Sequence, residues 1–289
     1  MPTQFRFHGY AVGAAGRIRL PHATFIEVQA ASALPQIGGR GSARSQLFDH
    51  YGILKFDAAY TTVSGISHGS GRDDSRAAHR THLQSTVEGL NILDVVTADL
   101  VVANVESTAI AGHEPTFRLR GTEFRNLRIA GIPVAVDLAT DVFDLHETHS
   151  ALIEACRTLE SVRNLMDRLI LRARVGDNPK LPHMTGVTPV SLVRALNIDK
   201  EGVEASGHVI RVPGFGTIRL AEVVLGRAVR TVSMIQIDLE GAQLPGGKEL
   251  PMPPDPPPSD PPAEPCPPGI HGHLMMCESG GVVSAGDDY

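Results

Sequence analysis

Four residues near the C-terminal end, Cys266, His271, His273 and Cys277, are of the types that hold zinc. Their spacing matches no standard finger, so they are candidate ligands or polar strand residues. A second metal candidate is His146-Glu-Thr-His149, which Asp144 could join. A metalloprotease helix needs its histidines at i and i+4 with a glutamate beside the first. Here the spacing is three, and a surface or capping role is expected. His79 and His82 precede a strand and bring no third ligand.

Other chemistry has less to build on. No serine stands out as the nucleophile of an elbow, although a triad is left open because its members need not be neighbours in sequence. Gly214-Phe-Gly216 does not continue into a dinucleotide loop, and no phosphate-binding Gly-x4-Gly-Lys-Ser/Thr occurs. Aromatic residues make up 4% and tryptophan is absent, so sugar platforms and base-stacking surfaces are poorly supplied. Net charge is −6, which argues against a nucleic-acid binder. No catalytic residue and no cofactor is therefore assigned. A hydrolase or metal-dependent enzyme on a β-scaffold is the competing reading.

The elements that would position such residues are mostly strands. Residues 4–30 alternate, 31–50 are rich in Gly, Ser and Ala and read as a loop, and strand character returns at 52–66. Two segments read as variants of one hairpin phrase, Ser85–Ala103 and Thr122–Val136, the second turning at Ala130-Gly131. Pro133 cannot donate to a ladder and suggests an edge. Between 206 and 240 the apolar parity switches from Val232 and Met234 to Ile235, Ile237 and Leu239, which suggests a bulge or a strand apolar on both faces.

Residues 145–174 break the pattern. Leu152, Cys156, Leu159, Arg163, Met166 and Ile170 recur at three- and four-residue steps, which predicts one helix of about eight turns. Asp144 and Glu147 would cap its start, and Gly176 and Asn178-Pro179 would stop it. From Pro251 to Pro268 there are eleven prolines in eighteen residues. Such a run favours polyproline II and would reach ~55 Å at ~3.1 Å per residue. Cys266 and Cys277 flank its end and would pair in an oxidising compartment.

Val87-Glu-Gly-Leu-Asn-Ile92, Val96-Thr-Ala-Asp99 and Phe124-Arg-Asn-Leu-Arg-Ile-Ala-Gly-Ile-Pro-Val134 resemble the choice-of-anchor P type domain of bacterial surface proteins. Gly216-Thr-Ile-Arg-Leu-Ala-Glu222 and Arg230-Thr-Val-Ser-Met-Ile235 are similar to it as well. The resemblance covers about a third of the chain. It implies a β-rich extracellular domain at a cell surface. The first ten residues lack the order of a secretory signal, so the compartment stays open.

These readings together predict a mainly β protein, an antiparallel β-sandwich with one long inserted helix and a proline-rich C-terminal arm. Residues 1–250 would form the domain, 251–268 the linker and 269–289 a docking segment. Leu274, Met275, Met276, Val282 and Val283 would anchor that segment on a neighbouring subunit. The expected function is a non-catalytic, self-assembling bacterial protein, such as a subunit of a surface layer, fibre or appendage. Its partners would be other copies of itself or a cell-surface partner, with no nucleic acid and no membrane span. The plainest alternative is an isolated β-domain with a disordered tail.

Overall fold

Alternating apolar residues build long strands here, because each strand has one face to bury. The computed structural model describes residues 5–68, 77–170, 188–227, 229–244 and 270–284. Six long strands come first: β1 (Arg6–Leu20), β2 (Thr24–Ala33), β3 (Gly39–His50), β4 (Leu54–His68), β5 (Ala78–Ile92) and β6 (Val96–Ile110). Short pieces follow: β7 (Thr116–Arg118), β8 (Glu123–Arg125), β9 (Arg128–Ile129), β10 (Ile132–Pro133) and β11 (Ala135–Leu138). Three helices, α1 (Thr140–Leu145), α2 (His149–Thr158) and α3 (Glu160–Leu169), interrupt them. The chain then forms β12 (Thr188–Ser191), β13 (Val193–Asn197), β14 (Glu204–Ser206), β15 (Val209–Val212), β16 (Gly216–Leu225), β17 (Val229–Ala242) and β18 (Ile270–Ser284). Among the described residues strand outweighs helix, 66% against 12%, so the fold is mainly β.

Two eight-stranded antiparallel sheets face each other as a sandwich. The first runs β14-β15-β16-β17-β18-β1-β2, with β12 also on β16; the second runs β10-β9-β6-β5-β4-β3, with β7 and β8 on β6. Strands β1 and β18 lie over β4, β5 and β6. No helix among the described residues is long and apolar enough to cross a membrane.

One row of irregular residues crosses each sheet. In the first sheet, Ala221, Met234, Cys277, Gly13 and Ala30 each fall where the regular pairing skips a step. Ala221, Cys277 and Ala30 take φ near +50° (51°, 49° and 49°). The expected parity switch after Met234 lies on this row. Past it, neighbours such as Met276 and Cys277 both face inward and both are buried. In the second sheet, Leu47, Gly89 and Asn126 have positive φ along a matching row, and Asn126 Nδ2 donates to Asp99 Oδ2 at 2.6 Å.

At these rows the sheets come close. Ser85 Oγ donates to the Val12 carbonyl at 2.7 Å, and Cys277 Sγ to the Val101 carbonyl at 3.2 Å. Ser279 Oγ reaches the Ala103 carbonyl at 3.3 Å. A serine side chain spans this gap only if the backbones are nearer than the usual ~10 Å between packed sheets. Small residues permit it: a Cβ on Gly13 would stand 2.9 Å from the Ala59 Cβ. The low aromatic content thus has a structural counterpart in a thin sandwich centre.

The structure corrects three sequence expectations. Residues 31–33 and 39–50 are strand, with a turn only at 34–38: Gly41, Ala43 and Ser45 occupy one parity of β3, while Arg40, Ser42 and Arg44 are exposed on the other. Thr122–Val136 forms short pieces around β6, although Ala130-Gly131 does turn β9 into β10 and Pro133 does lie at a sheet's end. The single long helix is two helices broken at Leu159, whose backbone is extended (φ −109°, ψ 110°) and whose side chain is exposed.

The break has identifiable causes. Thr158 Oγ1 bonds back to the Glu154 carbonyl, competing with the helix ladder. Arg163, expected on the helix stripe, donates from Nε to the Cys156 carbonyl and from Nη2 to the Arg157 carbonyl, satisfying the end of α2. The cap of α2 is Thr148, accepting from the Ala151 amide, in place of Asp144. The expected stop at 176–179 lies outside the described residues. Leu152, Cys156 and Met166 are buried, and α3 packs on β12 and β13. Met166 is fully enclosed, so Met166→Ala is expected to cost about 2–5 kcal/mol, read as a lowered urea midpoint with an unchanged slope.

Candidate functional site

The C-terminal metal candidates do not converge. His273 and Cys277 point to opposite faces of β18. His273 Nδ1 bonds Asp238 Oδ1 at 2.8 Å on the outer face. Burial alone would raise the Asp238 pKa, but hydrogen bonds from Arg219 and His273 outweigh it and hold the carboxyl below its ordinary value. Cys277 faces the core as a free thiol, fully enclosed and pushed up to about 12 by burial. Cys266, its candidate partner, lies outside the described residues. His271 sits opposite Leu20 and Glu240, its Nε2 buried without a partner.

His146 and His149 fall on either side of a corner, not along one helix. His146 ends α1 and His149 opens α2. Asp144 is engaged elsewhere, accepting from the Leu119 amide at 2.8 Å. Among the described residues, no three His, Cys, Asp or Glu side chains group as a metal site. His82 Nε2 bonds Asn104 Oδ1 at 2.8 Å.

The docking anchors also find a different place. Strand β18 lies between β17 and β1, paired on both sides within its own chain. Leu274 and Met276 are buried in that core, and Met275 faces outward beside Gln236 and Ala15. The side chains of Val282 and Val283 lie outside the described part. Within one chain these residues fill an internal slot. The physical reason is that β17 and β1 each offer an edge, and Leu274 and Met276 supply the apolar alternation that fills the space between them.

One pattern escaped the sequence reading. Gly65-Ile-Ser-His-Gly69 spells Gly-x-Ser-x-Gly, and Ser67 Oγ lies 2.9 Å from His79 Nδ1. The His79 ring stacks on Phe5 at 3.9 Å. Yet Ser67 is an ordinary position on β4, directly opposite His79 on β5, and the next described element is a strand. A nucleophile elbow needs a sharp strand-to-helix turn that exposes the serine and supplies backbone donors. This pair has the nucleophile and base types without that setting.

Elsewhere on the outer face of the first sheet, Tyr10 OH and Ser233 Oγ both donate to Glu278, at 2.5 and 2.8 Å. Burial and Glu278 push the Tyr10 phenol up to about 12, so it stays a neutral donor. Next in the row, Glu222 Oε1 pairs with His208 Nε2 at 3.1 Å. These carboxylates serve as acceptors inside a ladder of polar side chains. A hollow of about 250 Å³ lies by Glu204, Arg211 and Glu240, at the small end for a ligand pocket.

The strongest surface signal lies at the sandwich edge. Strand β2 ends the first sheet and β3 ends the second, and the two pack side by side. Phe25, Val28, Ile37, Leu47 and Tyr51, on β2, β3 and the turns that follow them, are exposed by 67, 56, 84, 85 and 53%. No residue of the twelve in β3 is buried. Each edge therefore presents unpaired backbone groups along with large apolar side chains. Arg17 lies 5.2 Å from the Phe25 ring centroid, and Arg40, Arg44 and Asp49 add charge. Sequence reasoning missed this site because exposure cannot be told from apolarity, and β3 itself reads as a loop.

Residues 5–226 match a family described as a domain of unknown function, DUF8256. No curated protein and no solved structure matches the chain.

Proposed function

Because the chain belongs to the DUF8256 family, whose description carries no activity, we propose a function from its own surface: a non-catalytic structural protein that self-associates through the β2–β3 edge. The observation that carries this reading is the concentration of exposed apolar side chains between Phe25 and Tyr51 on two adjacent open edges. A second copy is the natural occupant. Antiparallel pairing of β3 with itself brings the Arg40 end of one strand toward the Asp49 end of the other, twice over, as twofold symmetry requires. The resemblance to surface proteins supports a bacterial surface layer, fibre or appendage as the setting.

The C-terminal arm takes a place in the same reading. Ala242 and Ile270 are register partners, yet 27 residues (243–269) join them where two would close a hairpin. The excess length lets β18 of one copy fill the matching slot of a neighbour. Sedimentation velocity tests the edge. The wild type is expected to grow in mass with concentration, and Leu47→Lys to remain monomeric with unchanged circular dichroism, since Leu47 packs on little. Equal behaviour of the two would remove the edge from the proposal. A hydrolase is the second reading, favoured only by the Ser67–His79 pair. Labelling of Ser67 by a fluorophosphonate would support it.

A further inference from the structure

We propose that the corner between α1 and α2 is a binding site for a small oxyanion, a carboxylate or phosphate group, held by the side chains of Arg230 and His149. The proposal does not depend on how copies associate.

Arg230 opens β17 and is only 7% exposed. Its Nη1 donates to the Val229 carbonyl at 2.9 Å and its guanidinium stacks over Phe117, 5.2 Å from the ring centroid. Its Nε is buried with no partner, and the Glu114 carboxylate acts on it through charge without a hydrogen bond. The Phe117 amide donates to the Glu147 carbonyl at 2.6 Å, which brings the α1–α2 corner to the same ring. Two residues on, His149 is 4% exposed, and neither of its ring nitrogens has a partner. Glu114 accepts from the Ser150 amide with both oxygens at 3.2 Å, so it occupies the helix end without pairing with Arg230.

The arrangement therefore encloses a guanidinium whose Nε has no partner and an imidazole with neither ring nitrogen bonded. Buried polar groups are nearly always satisfied, and a buried charge without a partner is among the costliest features a fold can carry. An oxyanion between Arg230 and His149 would accept from both, beside a helix start whose Ser150 and Ala151 amides are already held by Glu114 and Thr148. Burial lowers the His149 pKa first, the Arg230 charge adds to this, Glu114 opposes it, and Arg227, which follows the end of β16, lowers it further. Burial lowers Arg230 only to about 10, so it stays charged at neutral pH.

Two sources supply this chemistry. One is a free anion. The other is the chain's own Asp287-Asp288, which follows β18 within four residues of Ser284; β18 runs alongside Arg230, pairing it with Gly281.

The test is thermal unfolding of the full chain during titration with inorganic phosphate, against chloride at matched ionic strength. A saturable rise of about 5–10 °C at a hundredfold excess over Kd, lost in Arg230→Gln, establishes a free-anion site. If Arg230→Gln fails to fold, loss of the rise in His149→Leu reads the same contact. A rise that occurs only in Asp287→Asn/Asp288→Asn shows the chain's own carboxylates in the site. Absence of a saturable rise in both backgrounds, or a rise that survives in both site variants, overturns the proposal.

Discussion

A chain ending at Leu250 is expected to lose its cooperative unfolding transition. Strand β18 is the fifth strand of its sheet, hydrogen-bonded to β17 and β1 along its length. Leu274, Met276, Cys277 and Ser279 are fully enclosed. Losing the Leu274 and Met276 side chains alone removes about 4–10 kcal/mol at core rates. Two ladders of backbone groups would also open. Together these exceed the ~5–15 kcal/mol by which domains are stable. Circular dichroism during urea unfolding is the measurement. A peptide of residues 270–284 should restore the transition by adding itself as a strand. A truncated chain that unfolds cooperatively at the wild-type midpoint would mean that β18 is dispensable to its own domain.

Gly13→Val is expected to cost about 2–3 kcal/mol, because the sandwich is thinnest there. A Cβ at Gly13 already meets the Ala59 Cβ at 2.9 Å, the Gln29 carbonyl at 3.0 Å and the Ala30 Cβ at 3.3 Å. Two further methyls would push β1 from β4 and strain the bond from Ser85 to the Val12 carbonyl. Adding Ala59→Gly should recover about 1 kcal/mol, since the two residues share one space. Strictly additive losses in the double-mutant cycle would show that the sheets do not meet at these residues.

How much of this was legible depends on what each segment buries. The strands at 80–110 and 206–240 could be read because apolar residues alternate along them, with both faces partly apolar in their most buried stretches. The bulge after Met234 was legible for the same reason, since a skipped step reverses parity. Strand β3 was not, because its inner side chains are small where β2 packs against it, and Ser45 Oγ bonds Gln29 there. The helix break was hidden too. Leu159 continues the apolar spacing, while the cause lies in hydrogen bonds of Thr158 and Arg163 that periodicity does not carry. The role of β18 was misjudged because its strand lies beyond a proline run, and composition reports the run more loudly than the pairing. At the edge, Phe25 and Leu47 look like core residues until the sheets are assembled. Arg230 and His149 are 81 positions apart, and only the fold brings their charges within reach of each other.

Amide hydrogen exchange at two protein concentrations tests the self-association most directly. The account predicts that amides of β2 and β3 exchange freely in dilute protein and become protected as concentration rises. Amides of β5, interior to its sheet, should be protected at both. Exchange along β2 and β3 that is the same at every concentration, in samples where sedimentation shows assembly, would place the contact elsewhere and contradict the account.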